Sequence, residues 1–370
     1  MKPSPKIAFL KSRIAHRGGL EKYTLKLAQA FKSAGCEVTL LTTDKMSVSG
    51  VKIVSLAKSS KFSLYHLFHF DRACTRWLKD HPQDIIFGME RNSFQTHYRA
   101  GSGCHAVYLK RRILTDSWIK RMTFRLNPLH LELLHLEKKA FQNPGLKTLF
   151  TNSEMVKQEI LDTYHLPEEK IEVVYNGVEW KAWESSFEAS FKKPRKKNFE
   201  FLFIGNGYRR KGLTFLLQGL ALLSTRNFHL SVIGKEKNIS HFKQLAQKLG
   251  LEKKITFRGA RSAIRPFYQA ADAMVIPSIY DPFANVTVEA LAMGLFVVSS
   301  RYNGGREVLT QESGTTIEQL DDPRSVADAL NKALHHKKEY SHAKKIRDSI
   351  QQLDFSHQLD KIVQKALASI

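Results

Sequence analysis

One pattern constrains this chain more than any other, and it occurs twice. Lys6–Leu10 is a short β run, Lys11–Gly19 reads as a loop, and Leu20–Ala34 places Leu20, Tyr23, Leu27, Ala30 and Phe31 at helical spacing. Gly35 stops that helix, and Cys36–Thr43 is rich in β formers. Such a βαβ unit builds a parallel sheet with helices on both faces. The alternation continues through β runs at Asp84–Phe87, Leu146–Thr151 and Ile171–Val174, with a helix at Ser153–Tyr164. It lapses over Glu179–Asn198, which lacks periodicity and holds the basic run Lys192–Lys197. That stretch reads as an exposed charged linker, with a phosphate site as the other reading. From Phe199–Ile204 the strand–helix alternation restarts and runs to a helix at Ser325–His335. The expectation is an α/β chain of two doubly wound, Rossmann-like parallel-sheet domains, residues 1–177 and 178–354, facing across a cleft. Ligands of open parallel sheets bind beyond the carboxyl ends of the strands, so the cleft is the expected site.

Length agrees with two domains: 370 residues at roughly 100–200 per domain. An apolar content of 42% excludes a disordered tail protein. Cys36, Cys74 and Cys104 are too few to staple such a chain and cannot all pair, which fits a reducing cytoplasm. No run of about 18 apolar residues predicts a membrane span, and the apolar patch Ile7–Leu10 is too short for a signal peptide. The net charge of +23 calls for a polyanionic partner: nucleic acid, anionic lipid or a phosphorylated substrate.

The motifs narrow these. Between a strand ending at Pro277 and a helix starting near Asn285 lies a loop bearing Asp281, with Glu289 one to two turns into the helix. Free N–H groups at Asn285, Val286 and Thr287 would form a phosphate-binding helix start. Two carboxylates suit the vicinal hydroxyls of a sugar or ribose. Glu289 sits among Val286, Val288, Leu291 and Ala292, where an unpaired carboxylate is costly. A second glycine-rich turn, Gly205-Asn206-Gly207-Tyr208-Arg209-Arg210-Lys211-Gly212, has Arg210 where a dinucleotide fingerprint needs its third glycine. It offers two cations suited to a diphosphate, Arg210 bidentately and Lys211 as a point charge. The glycine pairs Gly18-Gly19 and Gly304-Gly305 also lie at strand-to-helix joints, where a simple turn is the competing reading. From Arg99 to Arg125 the chain is strongly basic: Arg99, Lys110, Arg111, Arg112, Lys120, Arg121 and Arg125 face only Asp116. Trp118, Ile119, Met122, Phe124 and Leu126 interleave with these cations. Such a segment either lies on an anionic membrane or is a solvated helix with a core face; no recognition module points to nucleic acid. No metal-ligand set, Gly-x-Ser-x-Gly elbow or phosphate loop is present.

Taken together, these residues resemble the retaining GT-B glycosyltransferases of family 4. The matching pieces are Gly18-Gly19, Thr151-Asn152-Ser153, the stretch Val173–Val178, Arg210-Lys211-Gly212, and Asp281 to Glu289 followed by Ala290. Tyr98–Gly101, His105, the stretch from Leu109 to Phe141, and Tyr280–Val286 resemble lipopolysaccharide core glycosyltransferases of the core glucosyltransferase I type. The resemblance implies metal-independent hexosyl or heptosyl transfer with retention. The donor is a nucleotide-diphosphate sugar, with UDP-glucose the first expectation, and no cofactor takes part. Arg210 and Lys211 would hold the diphosphate, Glu289 the ribose, and Val286 and Thr287 the phosphate through their N–H groups. Asp281 matches the first acid of the family's E-x7-E motif and would approach the donor sugar, one methylene short of the usual Glu. Gly18, Gly19, Gly205 and Asn285 complete the donor side. Arg99, His105, Arg111, Arg112, Trp118, Lys120 and Arg121 would face a lipopolysaccharide-core or other glycolipid acceptor and an anionic membrane. His97 stands where relatives have Asp. The helix 355–370 resembles the family's closing helix, which packs back on the first domain. The implied location is cytoplasmic, peripheral to the inner membrane. A soluble glycan synthase of the same fold and a non-catalytic sugar-nucleotide-binding protein are the alternatives.

Overall fold

In the computed structural model, the described residues are 3–14, 19–56, 63–192, 194, 197–225 and 227–370. The chain divides into two compact units, Met1–Val174 with Gln358–Ile370, and Tyr175–His357.

The first unit contains seven strands: β1 (Lys6–Leu10), β2 (Glu37–Thr42), β3 (Lys52–Ser55), β4 (Ile85–Gly88), β5 (His97–Arg99), β6 (Thr148–Thr151) and β7 (Ile171–Val173). All pair in parallel, in the order β3-β2-β1-β4-β5-β6-β7. The helices are α1 (Gly19–Ser33), α2 (Ser63–Asp80), α3 (His105–Arg111), α4 (Trp118–Met122), α5 (Pro128–Phe141) and α6 (Glu154–Tyr164). α1 forms because Tyr23, Leu27, Ala28 and Phe31 share one buried face, and Phe31 meets Phe9 and Phe87 of the sheet edge-on. β1 and β4 are almost wholly buried, which is why they read as continuous apolar runs rather than alternating ones.

The second unit begins with α7 (Glu184–Ala189). Six strands follow: β8 (Phe199–Ile204), β9 (Phe228–Ile233), β10 (Ile255–Gly259), β11 (Ala273–Ile276), β12 (Phe296–Ser300) and β13 (Gly314–Ile317). They too are parallel, in the order β10-β9-β8-β11-β12-β13. Its helices are α8 (Leu213–Ala221), α9 (Ile239–Lys248), α10 (Arg265–Ala270), α11 (Asn285–Ala292), α12 (Pro323–Leu334) and α13 (Tyr340–Asp348). Val288 and Leu291 of α11 share a core with Met274, Ile276 and Val297 of the strands beneath. The order reverses between β8 and β11, and ligand sites form beyond the carboxyl ends of strands at such a reversal. The loops after β8, β11 and β12 emerge there.

The stretch expected to be an exposed linker, 179–198, is largely structured. Its Trp183 and Phe187 are buried, and Trp180 and Phe191 pack against the same core. Trp180, Trp183, Phe187 and Phe191 stand three to four residues apart, a helical apolar spacing that the adjoining basic run obscures. Of that run, Lys193, Arg195 and Lys196 lie outside the described residues.

The terminal helix α14 (Phe355–Leu367) buries Leu359, Ile362, Val363 and Ala366. In the first unit, Lys365 pairs with Glu172 of β7 at 2.7 Å, and Ser369 Oγ meets His97 Nε2 at 2.9 Å. Burial of His97, with the charge of Lys147 nearby, lowers its pKa to about 4. His97 is therefore a neutral side chain tying β5 to the chain terminus.

Candidate functional site

The second unit gathers the sequence-predicted donor residues beyond the carboxyl ends of β8 and β11. The turn after β8 begins with Gly205. A Cβ there would lie 2.8 Å from Lys211 Cγ, so the missing side chain gives the Lys211 stem its path. The turn closes at Gly212, whose φ of +77° and whose space, 1.7 Å from the Pro277 carbonyl oxygen, exclude any larger residue. The turn is also tied to the β11 loop by the Ile279 N–H, which donates to the Arg210 carbonyl at 3.1 Å.

This path brings the Lys211 ammonium into direct contact with the Asp281 carboxylate. Both side chains are largely buried, at 15% and 10% exposure. Arg210 is half-buried, and its guanidinium has no side-chain partner among the described residues. The site thus holds one cation already matched and one available.

α11 supplies the third part. Asn285 and Val286 open the helix, so their N–H groups have no acceptor within it. Thr287 departs from expectation: its N–H already donates to the Ala284 carbonyl at 2.9 Å, because the first turn is tight. The exposed Asn285 accepts from Asn176 Nδ2 through its side chain at 2.6 Å. Glu289, one turn on, accepts from the Tyr268 hydroxyl at 2.7 Å. Burial, and then the Glu289 charge, push the Tyr268 pKa well up, so this phenol stays a donor. Tyr268 gives Glu289 the partner that its apolar setting demands.

Sequence reasoning missed Asn303. It is fully buried, and its Oδ1 accepts from the N–H groups of Ala284 and Gly305 at 3.0 and 3.1 Å. Only its position before a glycine pair marked it. Among the described residues no cluster of three His, Cys, Asp or Glu side chains could hold a metal.

In the first unit, Gly18 lies outside the described residues and Gly19 opens α1. The residues expected to face an acceptor and a membrane separate into two groups. Arg99 is buried with its guanidinium 3.8 Å from the Tyr23 ring centroid, so it is a packing cation rather than a surface one. His105 is half-buried and joins a network anchored on the buried Glu137: its Nε2 lies 3.1 Å from His130 Nδ1, and its N–H donates to Glu137 at 2.7 Å. Burial, followed by Arg91, lowers the His105 pKa to about 4. Burial alone would raise the pKa of Glu137, but Arg91, Tyr164 and two backbone N–H groups outweigh it and hold the carboxyl low.

The other group forms a surface. Ile113, Trp118, Ile119, Met122, Leu126 and Leu131 are all exposed, half of the exposed large apolar side chains among the described residues. Lys120 and Arg112 both pair with the buried Asp116, and the Arg112 guanidinium covers the Phe124 ring at 4.1 Å. Arg111 and Arg121 are half-buried beside them. An apolar patch set among cations differs from the solvated helix of the competing reading, whose apolar side would be covered. No helix among the described residues is long and apolar enough to cross a membrane.

Two parallel α/β units, one holding a cation–carboxylate site and a helix start at its strand reversal, define a protein with the GT-B fold. Residues 185–349 match the family model described as Glycosyl transferases group 1, and residues 17–180 match Glycosyltransferase Family 4. Together they span most of the sequence, and the chain is built of glycosyltransferase group 1 and family 4 domains. An uncharacterized glycosyltransferase of Methanocaldococcus jannaschii is 29% identical over 200 residues, 50% of each chain. The O-antigen chain mannosyltransferase RfbU of Salmonella typhimurium is 30% identical over 58% of this chain and 56% of its own. The chain spans about half the length of these two curated relatives. The lipopolysaccharide glucosyltransferase WaaG of Escherichia coli is 21% identical across 89% of both chains. A crystal structure of WaaG, a glycosyltransferase involved in lipopolysaccharide biosynthesis, shares the fold with a TM-score of 0.77. It is 20% identical over 97% of this chain and 99% of that one.

Proposed function

We propose that this chain is a retaining, metal-independent hexosyltransferase that uses a nucleotide-diphosphate sugar, UDP-glucose first. Its acceptor is a lipopolysaccharide core or related envelope glycan at the cytoplasmic face of the inner membrane. One observation carries the donor side: Arg210 and Lys211 stand on a turn bonded to the loop that leads into α11. A diphosphate there would meet the available Arg210 fork, the Lys211 ammonium and the N–H groups of Asn285 and Val286. Glu289 would accept from a ribose hydroxyl while keeping its bond to Tyr268. In the step this supports, the bond from the anomeric carbon to the diphosphate oxygen breaks. The acceptor oxygen bonds to that carbon, and the acceptor proton passes to the departing diphosphate. Catalysis would be electrostatic stabilisation of the leaving group together with positioning.

A panel of nucleotide sugars, read by nucleoside-diphosphate release with and without glycolipid acceptor, tests the reading. One donor is expected to turn over well above the rest. Binding without release would favour the non-catalytic alternative.

The apolar, cationic surface around Trp118 supports the membrane side. Replacing Trp118, Ile119 and Met122 together with serine is expected to reduce co-sedimentation with anionic phospholipid vesicles by about 10-fold or more. Nucleotide-sugar turnover on a soluble acceptor should be unchanged. These side chains are exposed, so the fold does not depend on them. Equal sedimentation of variant and parent would favour a soluble synthase.

A further inference from the structure

Asn303 stands at the centre of the donor-side loops, yet its side chain touches no surface from which it could reach a ligand. Its backbone is the rung between Asp281 and the loop after β12. The Asp281 N–H donates to the Tyr302 carbonyl at 2.9 Å, and the Gly304 N–H donates to the Asp281 carbonyl at 3.0 Å, forming an isolated parallel bridge. Its side chain works in the other direction. Oδ1 takes the N–H of Ala284, the residue before α11, and that of Gly305. Nδ2 donates to Thr287 Oγ1 at 3.3 Å and to Ser299 Oγ at 3.0 Å.

An amide has two acceptor positions and two donor hydrogens, and here all four are used. The orientation is forced, because the two backbone N–H groups can only donate and so must face oxygen. Nδ2 then has to meet the two hydroxyls, which act as acceptors toward it. Ser299 in turn donates to the Ser300 carbonyl at 3.3 Å. The amide thereby joins the residue before α11, the third residue of that helix, β12 and the glycine turn after β12. Asp281, and through it Lys211, hangs from the same rung.

We propose that Asn303 is a positioning residue of the donor site: it fixes the start of α11 and the Asp281 backbone at the separation that lets Lys211 and the helix N–H groups act on one diphosphate. The proposal rests on the donor-site reading above. A group that merely filled the core would set the stability of this region and nothing else. A positioning group sets where two halves of a charge-stabilising site stand, and a misplacement of about 1 Å can cost about 10²-fold in turnover.

The test uses the full chain with UDP as the binding probe and UDP-glucose, or the best donor of the panel, as substrate. Asn303→Ala should lower UDP affinity and kcat by about 10²-fold at a temperature well below its own unfolding transition. Asn303→Asp keeps the shape, and the hydroxyls of Thr287 and Ser299 can turn to donate to the second oxygen, so it should recover most of kcat. Thr287→Val removes a single hydroxyl at nearly constant volume and keeps the test alive if the alanine variant does not fold. It should lower kcat with little change in KM. Asn303→Ala or Thr287→Val protein that is folded, less heat-stable, but equal to the parent in UDP affinity, kcat and KM would overturn the proposal. A parent chain that neither binds UDP nor turns over any donor would overturn the donor reading itself, a result distinguishable from the first.

Discussion

With Lys211 replaced by alanine, transfer is expected to fall by about 10²–10³-fold, the scale seen when one charge-stabilising donor is removed from an active site. The loss should fall mainly on kcat, because the ammonium acts on charge that grows as the diphosphate departs. A second effect has a different source. Lys211 and Asp281 form a largely buried pair, and removing one member leaves the other charge without its partner. Such a loss costs about 3 kcal/mol. It leaves the unit folded if its stability lies in the usual range of about 5–15 kcal/mol. Adding Asp281→Asn to the alanine variant should restore much of that stability and none of the activity. Thermal unfolding and single-turnover kinetics on the parent, the two single variants and the double variant separate the two terms. Asp281→Asn alone leaves Lys211 unmatched until a diphosphate arrives, so UDP should stabilise this variant more than it stabilises the parent. Full turnover in the Lys211→Ala variant would remove the diphosphate assignment.

What the sequence made legible was whatever a local pattern encodes. β11 is buried along its whole length, and a continuous apolar run such as Ala273–Ile276 between turn residues has few other uses. The start of α11 was readable at Asn285 because a proline-bearing loop gives way there to helical spacing. The three-residue strand His97–Arg99 and the four-residue strand Lys52–Ser55 were not readable, being too short to show a period. Chemistry that depends on tertiary approach was also hidden. Arg99 counts as one more cation in a basic stretch until Tyr23, 76 residues earlier, is found beneath it. Asn303 bonds to residues 284, 287, 299 and 305, a constellation no single window contains. Residue types suggested the diphosphate chemistry proposed for the donor-side loops. The bonds that hold those loops in register became visible only with the fold.

Replacing Arg347 by methionine should be among the most destabilising single changes in the second unit, although Arg347 lies in no loop of the donor site. Its guanidinium is fully buried and donates to the Ala292 carbonyl at the end of α11 at 2.5 Å. It also donates to the Trp180 carbonyl at 2.8 Å, and it contacts the Glu184 carboxylate. The Trp180 ring faces it at 4.2 Å and that of Phe187 at 5.2 Å. The aromatic segment before β8 is thus fastened through one side chain to the helix that carries Glu289. The ion pair is the lesser part, because the Glu184 side chain is 53% exposed and such pairs contribute about 1 kcal/mol or less. The larger part is the Ala292 carbonyl, which methionine would leave buried without a donor at about 1–3 kcal/mol, together with the Trp180 and Phe187 rings that lose the guanidinium, whereas the Trp180 carbonyl keeps the Trp183 N–H at 3.2 Å. A loss of about 2–4 kcal/mol follows, or a fall in Tm of about 8 °C for a unit of this size. Glu184→Gln should cost under about 1 kcal/mol, and this contrast assigns the energy to the Ala292 carbonyl and the ring contacts. Calorimetry of the full chain should show the transition of the second unit moving while that of the first stays in place. Equal losses for Arg347→Met and Glu184→Gln would instead place the energy in the ion pair.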